Sequence, residues 1–302
     1  ASIAAIIGMR VRAKCNESGL NHYMGIAISA FIATMLAWAS TLLPAEWTST
    51  PWHPLLACAL FIVPGVPLIN FVDDMLDNYI QVGIVRAVNT LLMVSAMAFG
   101  IAFAVKLCSI GDFFPTISMV PHHNYLEYAI AAAISAMGFS MIFNIQRRLL
   151  WVVAIGGIIA VCTRNFVNLG PSTNNIGLDM GLVIGSFSGS VLVSLIAIKA
   201  VHWFHVPNHV LTIPSVIPMI PGVLMYRMLF GLINMNVQSI DQVTPLMKAI
   251  ESGVNSGLVI MCIALGVAIP NIFGRKYIAS SKNKRLAEIL KERKARGKFV
   301  EW

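Results

Sequence analysis

Eight times along the chain the sequence runs apolar for about the length of a membrane-spanning helix, near residues 22–44, 55–70, 85–107, 125–146, 149–164, 181–201, 210–226 and 245–273. A bilayer core takes roughly 20 helical residues to cross. Hydrocarbon offers no partner to an unpaired N–H or C=O, so a spanning segment must be a helix or part of a closed barrel. These windows carry no alternation of apolar and polar residues, which argues against the barrel. Composition agrees: 57% of residues are hydrophobic and 11% charged, against roughly 25% charged in soluble domains, and the mean hydropathy is +0.78. An all-α polytopic membrane protein is expected.

The formal charge of +8 is local, because ten of the 21 Lys and Arg follow Gly274. That stretch, 274–302, reads as a basic cytoplasmic tail, helical around "KRLAEILKERK" and suited to anionic headgroups. A basic run of this kind is ordinarily a solvated or membrane-surface segment, so no nucleic-acid partner is expected. With the tail inside, alternation of the helices puts "RVRAK" and "QRR" inside as well. The loops "AEWTSTPWHP" and "CSIGDFFPTISMVPHHN", free of Lys and Arg, fall outside, and the second forms an outer connecting loop at 108–124. Cys15, Cys58, Cys108, Cys162 and Cys262 are scattered singly and read as small packing residues. His202 and His205 lie three apart, but with no nearby carboxylate they suit an interface anchor better than a metal site, and no cofactor is expected.

The two halves repeat. "GLNHYMGIAISAFIATMLAWAS" from Gly19 lies over "GLDMGLVIGSFSGSVLVSLIAI" from Gly177, and "FIVPGVPL" over "PMIPGVLM", aligning Pro64 with Pro221 and Gly65 with Gly222. Asn89 falls against Asn255 in a weaker match. The second copy, 125–273, holds five helices with a broken one at 210–226. The first, 1–107, shows a stub at 1–12 and three helices, with a broken one at 55–70, and reads as truncated at its N-terminus. An odd number of helices per copy makes the copies inverted, giving a fold of about nine to ten helices in two inverted five-helix repeats. Inverted repeats with interrupted helices at matching positions are the mark of secondary transporters.

The breaks themselves have chemistry. Proline removes a donor and clashes with the preceding turn, and glycine permits the close approach a reversal needs. In hydrocarbon such a break must line something polar. The N-terminus of a half-helix suits a carboxylate and its C-terminus a cation, and a zwitterionic amino acid has both groups. A simple proline kink is the alternative.

Candidate substrate contacts are therefore Pro64, Gly65, Pro67 and Asn70 after the first break, Pro221, Gly222, Tyr226 and Arg227 at the second, and Asn89 and Asn255 in neighbouring helices. Asn70, Asp73, Asp74 and Asp77 are three and four apart, one polar helix face. Clustered carboxylates repel, so one is expected to hold a proton near neutral pH, and Asp73, Asp74, Asp77 and Glu251 are the candidate proton carriers. Equally, the acids decorate a watery loop, Arg227 snorkels to an interface, and the asparagines bond between helices.

The pattern PG-x-P-x-x-N with following acids and "GIVRAVN", then "IPMIPGVLMYR" in the second half, resembles the threonine/serine exporter family over essentially the whole chain. Pro64, Gly65, Pro67, Asn70, Asp73, Asp77, Gly83, Arg86, Pro218, Pro221, Gly222, Tyr226 and Arg227 match its motifs. The resemblance implies a multi-pass exporter of the bacterial inner membrane with its C-terminus in the cytoplasm. It implies that threonine and serine are moved outward, driven by the proton motive force, with a soluble domain and a first helix ahead of the segment seen here. The expected partners are then these small solutes, protons and the lipid bilayer; a homo-oligomer is compatible with the sequence. Two readings stay open beside it. The family also occurs as split pairs associated with dicarboxylate (succinate) export, for which Arg86 and Arg227 are the plausible cation pair; the other reading is a membrane scaffold or subunit. An intramembrane enzyme is not expected, since no HExxH or GxSxG motif occurs.

Overall fold

The computed structural model describes residues 2–39, 58, 64–108, 123–171, 176–204, 206–233 and 243–295. Among them there are ten α-helices and no strand: α1 Ser2–Glu17, α2 His22–Trp38, α3 Gly65–Leu76, α4 Ile80–Leu107, α5 Tyr125–Ile142, α6 Leu150–Asn168, α7 Leu182–Phe204, α8 Asn208–Val216, α9 Gly222–Ile233 and α10 Val243–Ala295. Five segments are long and apolar enough to cross a membrane: Ile80–Leu107, Tyr125–Ile142, Arg147–Asn168, Leu182–Val201 and Leu246–Gly274. The interrupted pair α8 and α9 makes a sixth if counted as one span, and α2 is a shorter apolar helix. The all-α membrane fold expected from the apolar windows is the observed one.

Several boundaries differ from the sequence reading. The N-terminal stub runs on to Glu17, so Arg10, Arg12 and Lys14 are helical. The helix expected at 55–70 is described only from Gly65, and it continues to Leu76; of its first half only Cys58 falls among the described residues. The tail helix around 284–294 is the far end of α10, which continues from the membrane segment to Ala295 without interruption. The loops expected at 45–54 and 109–122 lie outside the described residues, as does His205.

Contacts divide the chain into two compact units, Ala1–His122 with Ile220–Met261, and His123–Met219 with Cys262–Trp302. In the first, α2 packs on α1 and α4, and α4 on α3 and α9. The reason α2 and α4 fit so closely is a stripe of small residues. Gly25, Ser29, Ala30, Ala33 and Ala37 are buried along one face of α2, and a Cβ added to Gly100 of α4 would run into the Ala27 carbonyl. Small residues let helix backbones approach where lipid supplies no hydrophobic drive. Ser29 Oγ donates to the Gly8 carbonyl at 2.7 Å, which ties α1 to the same helix. Around this seam Ile26, Met93, Val94, Met97, Ile101 and Tyr226 form one buried cluster.

The second unit repeats the device. A Cβ on Gly157 of α6 would lie 2.7 Å from the Ala136 Cβ of α5 and 3.0 Å from the Ala132 carbonyl. On α7, Ser186, Ser190 and Ser194 are fully buried. Their hydroxyls donate to carbonyls at Leu182, Ser186 and Val267, the last on α10. Ala136, Leu149, Val153, Ala197 and Leu211 make its apolar cluster.

Gly100→Ala is expected to destabilise the protein by about 1–3 kcal/mol, because the obstacle is backbone and the helices must separate. Gly138→Ala, where an added Cβ meets nothing within 4 Å, is expected to be neutral or stabilising by up to about 1 kcal/mol through helix propensity. Thermal unfolding in detergent compares the two.

Candidate functional site

The candidate residues named from the sequence all fall in the first unit. Helix α3 begins where the first break is expected: Pro64 is its N-cap, with no side chain capping it, and Gly65 is its first residue, both buried. Pro67, lacking an N–H, sits in the first turn, where no intrahelical acceptor exists anyway. The first ladder bond runs from the Leu68 N–H to the Pro64 carbonyl at 3.0 Å.

Leu68, Ile69 and Val72 face inward, while Asn70, Asp73, Asp74 and Asp77 are partly exposed. The acids occupy the last turn, and Asp77 is the C-cap, its N–H bonded to the Asp73 carbonyl at 2.9 Å. Asn78, in the left-handed region at φ 67, lets the chain reverse, and the Tyr79 N–H closes on the Asp74 carbonyl at 2.8 Å.

Carboxylates at a helix C-terminus oppose the macrodipole and repel one another. Here one is compensated from the next helix. Arg86 Nη1 of α4 donates to Asp74 Oδ2 at 2.5 Å, with the two side chains 47% and 22% exposed. Gly83 explains why that reach succeeds: a Cβ there would lie 2.5 Å from Met75 Cγ and 2.8 Å from the Phe71 carbonyl, so only glycine lets α4 start against α3. One turn on, Arg86 is delivered to Asp74. Asp73, Asp77 and Arg227 are engaged in interactions of their own. Gly65 and Asp73 are eight residues apart, about 12 Å along the axis at about 1.5 Å per residue. The break and the acids are therefore two places.

At the second break a 3₁₀ turn, Ile217–Met219, ends α8, and the Gly222 N–H bonds back to the Ile220 carbonyl at 2.9 Å. Helix α9 starts at Gly222, so an interruption stands where the prolines of "IPMIPG" place it. Tyr226 is 1% exposed, within the apolar cluster, and its hydroxyl donates to Met97 Sδ at 3.1 Å. Pro221 and Arg227 are partly exposed and Gly222 is buried. Asn89 accepts from Tyr23 Oη at 2.7 Å, joining α4 to α2. Glu251 and Asn255 lie exposed on α10.

An open groove of about 850 Å³ runs over α2, α4 and α9, lined by residues such as Met24, Ile28, Leu92, Phe99, Leu229 and Leu232. Its walls are apolar, and none of the candidate polar residues lines it. Among the described residues no group of three or more His, Cys, Asp or Glu is placed to hold a metal ion.

Two family models match the two halves. Residues 1–108 match the threonine/serine exporter model ThrE, and residues 128–273 match a second, described as Threonine/Serine exporter, ThrE. The chain belongs to the threonine/serine exporter family. It is thereby a multi-pass membrane protein of a transporter family, and the resemblance carried by the two Pro-Gly motifs is the correct one. No solved structure matches this exporter chain.

The sequence reading of the exporter passed over two polar sets, both in the second unit. Arg164 and Asn165 sit at the end of the apolar window 149–164, whereas α6 continues to Asn168. An ionisable residue inside a span was the available signal. Asn208 of α8 and Asn271 of α10, each next to a proline in the sequence, are joined by an amide hydrogen bond.

The Asp74–Arg86 pair is arranged against the α3 dipole, and reversal would put the cation at that C-terminus. Asp74→Arg with Arg86→Asp is therefore expected to match the parent's thermal stability to within about 1 kcal/mol. Either single reversal is expected to fall below both. Melting curves of the three variants decide.

Proposed function

We propose that this exporter moves threonine and serine out of the bacterial cytoplasm across the inner membrane, coupled to proton entry, by alternating access between its two halves, with the C-terminal tail cytoplasmic. The observation that carries this reading is the family match over both halves, joined to two helices that each begin at a Pro-Gly step, Pro64–Gly65 and Pro221–Gly222. A neutral zwitterion needs few fixed charges. Backbone N–H groups at the starts of α3 and α9 suit its carboxylate, with Pro67, Asn70, Asn89, Asn255, Tyr226 and Arg227 as the side chains to test.

Coupling is assigned to the acids, Asp73 and Asp74 before Asp77 and Glu251. A proton arriving on Asp74 removes the charge that Arg86 faces and loosens α3 against α4. Asp73, eight residues from Gly65, acts on the break through the same rigid helix. The dicarboxylate alternative is the weaker one, because it needs Arg86 as a free cation and Arg86 is already paired with Asp74.

Counterflow in proteoliposomes is expected to favour serine and threonine over succinate, and a preference for succinate would sink the assignment. Asp73→Asn and Asp74→Asn are expected to keep counterflow within several-fold of the parent but to lose acceleration by an imposed pH gradient. Undiminished acceleration in both would remove these acids from coupling.

A further inference from the structure

In the second unit, one turn before the end of α6, Arg164 and Asn165 form an incomplete polar pair. Arg164 is partly buried and lies within a segment long and apolar enough to span the membrane. Its Nε donates to Asn165 Oδ1 at 3.2 Å. Among the described residues no carboxylate lies within ion-pair distance of it. Tyr128 of α5 is within its electrostatic range, and Tyr125, one turn earlier, carries a buried hydroxyl with no hydrogen-bond partner.

The amide orientation follows from chemistry. A guanidinium has no acceptor, so the oxygen of Asn165 must face Arg164 and the nitrogen must point away from Nε. That nitrogen is buried, in a side chain only 2% exposed, and has no partner. Beneath it the backbone is sealed: an added Cβ on Gly185 of α7 would lie 2.6 Å from the Arg164 carbonyl.

Among the described residues, a cation with no carboxylate in ion-pair range stands beside a buried amide donor with no acceptor, a donor set that lacks its acceptor. In low dielectric the cation is costly without an anion and the amide without an acceptor, and the oxygens of one anion supply both. The C-terminal end of α6 offers Arg164 some compensation through the helix dipole; it offers the Asn165 nitrogen none.

We propose that Arg164 and Asn165 bind the carboxylate of a small solute. One guanidinium fits one carboxylate, held in the planar two-point geometry that arginine provides. The ligand is therefore a molecule presenting a single carboxylate to this site, an amino acid or one end of a diacid. The site lies in the second unit and uses none of the residues assigned to export above.

Asn165→Asp is the informative variant, because it changes one atom and puts a carboxylate where the ligand's would act. Arg164→Lys keeps the charge and removes the fork. The protein purified in a maltoside detergent without phosphate is titrated with L-threonine, with succinate and with L-threonine amide, following its melting temperature and heat of binding.

The parent is expected to be stabilised by both carboxylates and not by the amide. Asn165→Asp is expected to melt at or above the parent and to bind both at least 10-fold more weakly, and Arg164→Lys to bind both several-fold more weakly. Three results overturn the site: no stabilisation of the parent by either carboxylate, undiminished binding in both variants, or a dependence on Arg164 only for stabilisation by anionic lipid in nanodiscs, which would make the pair a headgroup contact. Serine and threonine counterflow reports separately on the export reading, which stands or falls independently of these titrations.

Discussion

Hydrocarbon leaves no backbone group unpaired at low cost, and most of this chain's architecture follows from that constraint. Long windows close their own ladders as α4, α5, α6, α7 and the membrane part of α10. New ladders start at the two Pro-Gly steps, α3 at Gly65 and α9 at Gly222, whereas α8 and α10 carry Pro214 and Pro270 within them. The buried serines of α7 obey the same rule, returning their protons to carbonyls one turn back or on α10. The exceptions then become informative. Asn165 is one of them, with a buried and unmatched donor beside a cation.

Close helix approach is the second layer. With lipid on both sides, association depends on contact distance, and glycine sets that distance at Gly100, Gly157 and Gly83. Gly83 links packing to charge. By admitting α4 against α3 it brings Arg86 to Asp74, so two residues of the "GIVRAVN" motif serve one contact.

The local features were legible in the sequence because their causes are local. Apolar length gave the spans, and Pro64–Gly65 and Pro221–Gly222 gave the helix starts. What was not legible depends on tertiary neighbours. That Asp74 would find Arg86, and that Tyr226 would be packed against Met97 within an apolar cluster, follow from which helices meet. Arg164 was missed for a simpler reason: a hydropathy window stops at a charge, while a helix does not, and α6 carries its arginine a full turn further.

The placement of the acids bears most directly on mechanism. A design for stability alone would put the cation, not Asp74, in the last turn of α3, since carboxylates there work against the dipole. An exposed ion pair contributes only about 0.2–1 kcal/mol, too little to explain the arrangement by stability. Under the export reading that weakness is useful. A weak contact is easily opened, whereas a deeply stabilised one would hold. The roughly 12 Å between the break and the acids then means that a proton and a substrate need never share a site. Under that reading the two would be coupled by sitting at opposite ends of the same short helix, since α3 joins Asp74 to the N–H groups at Gly65.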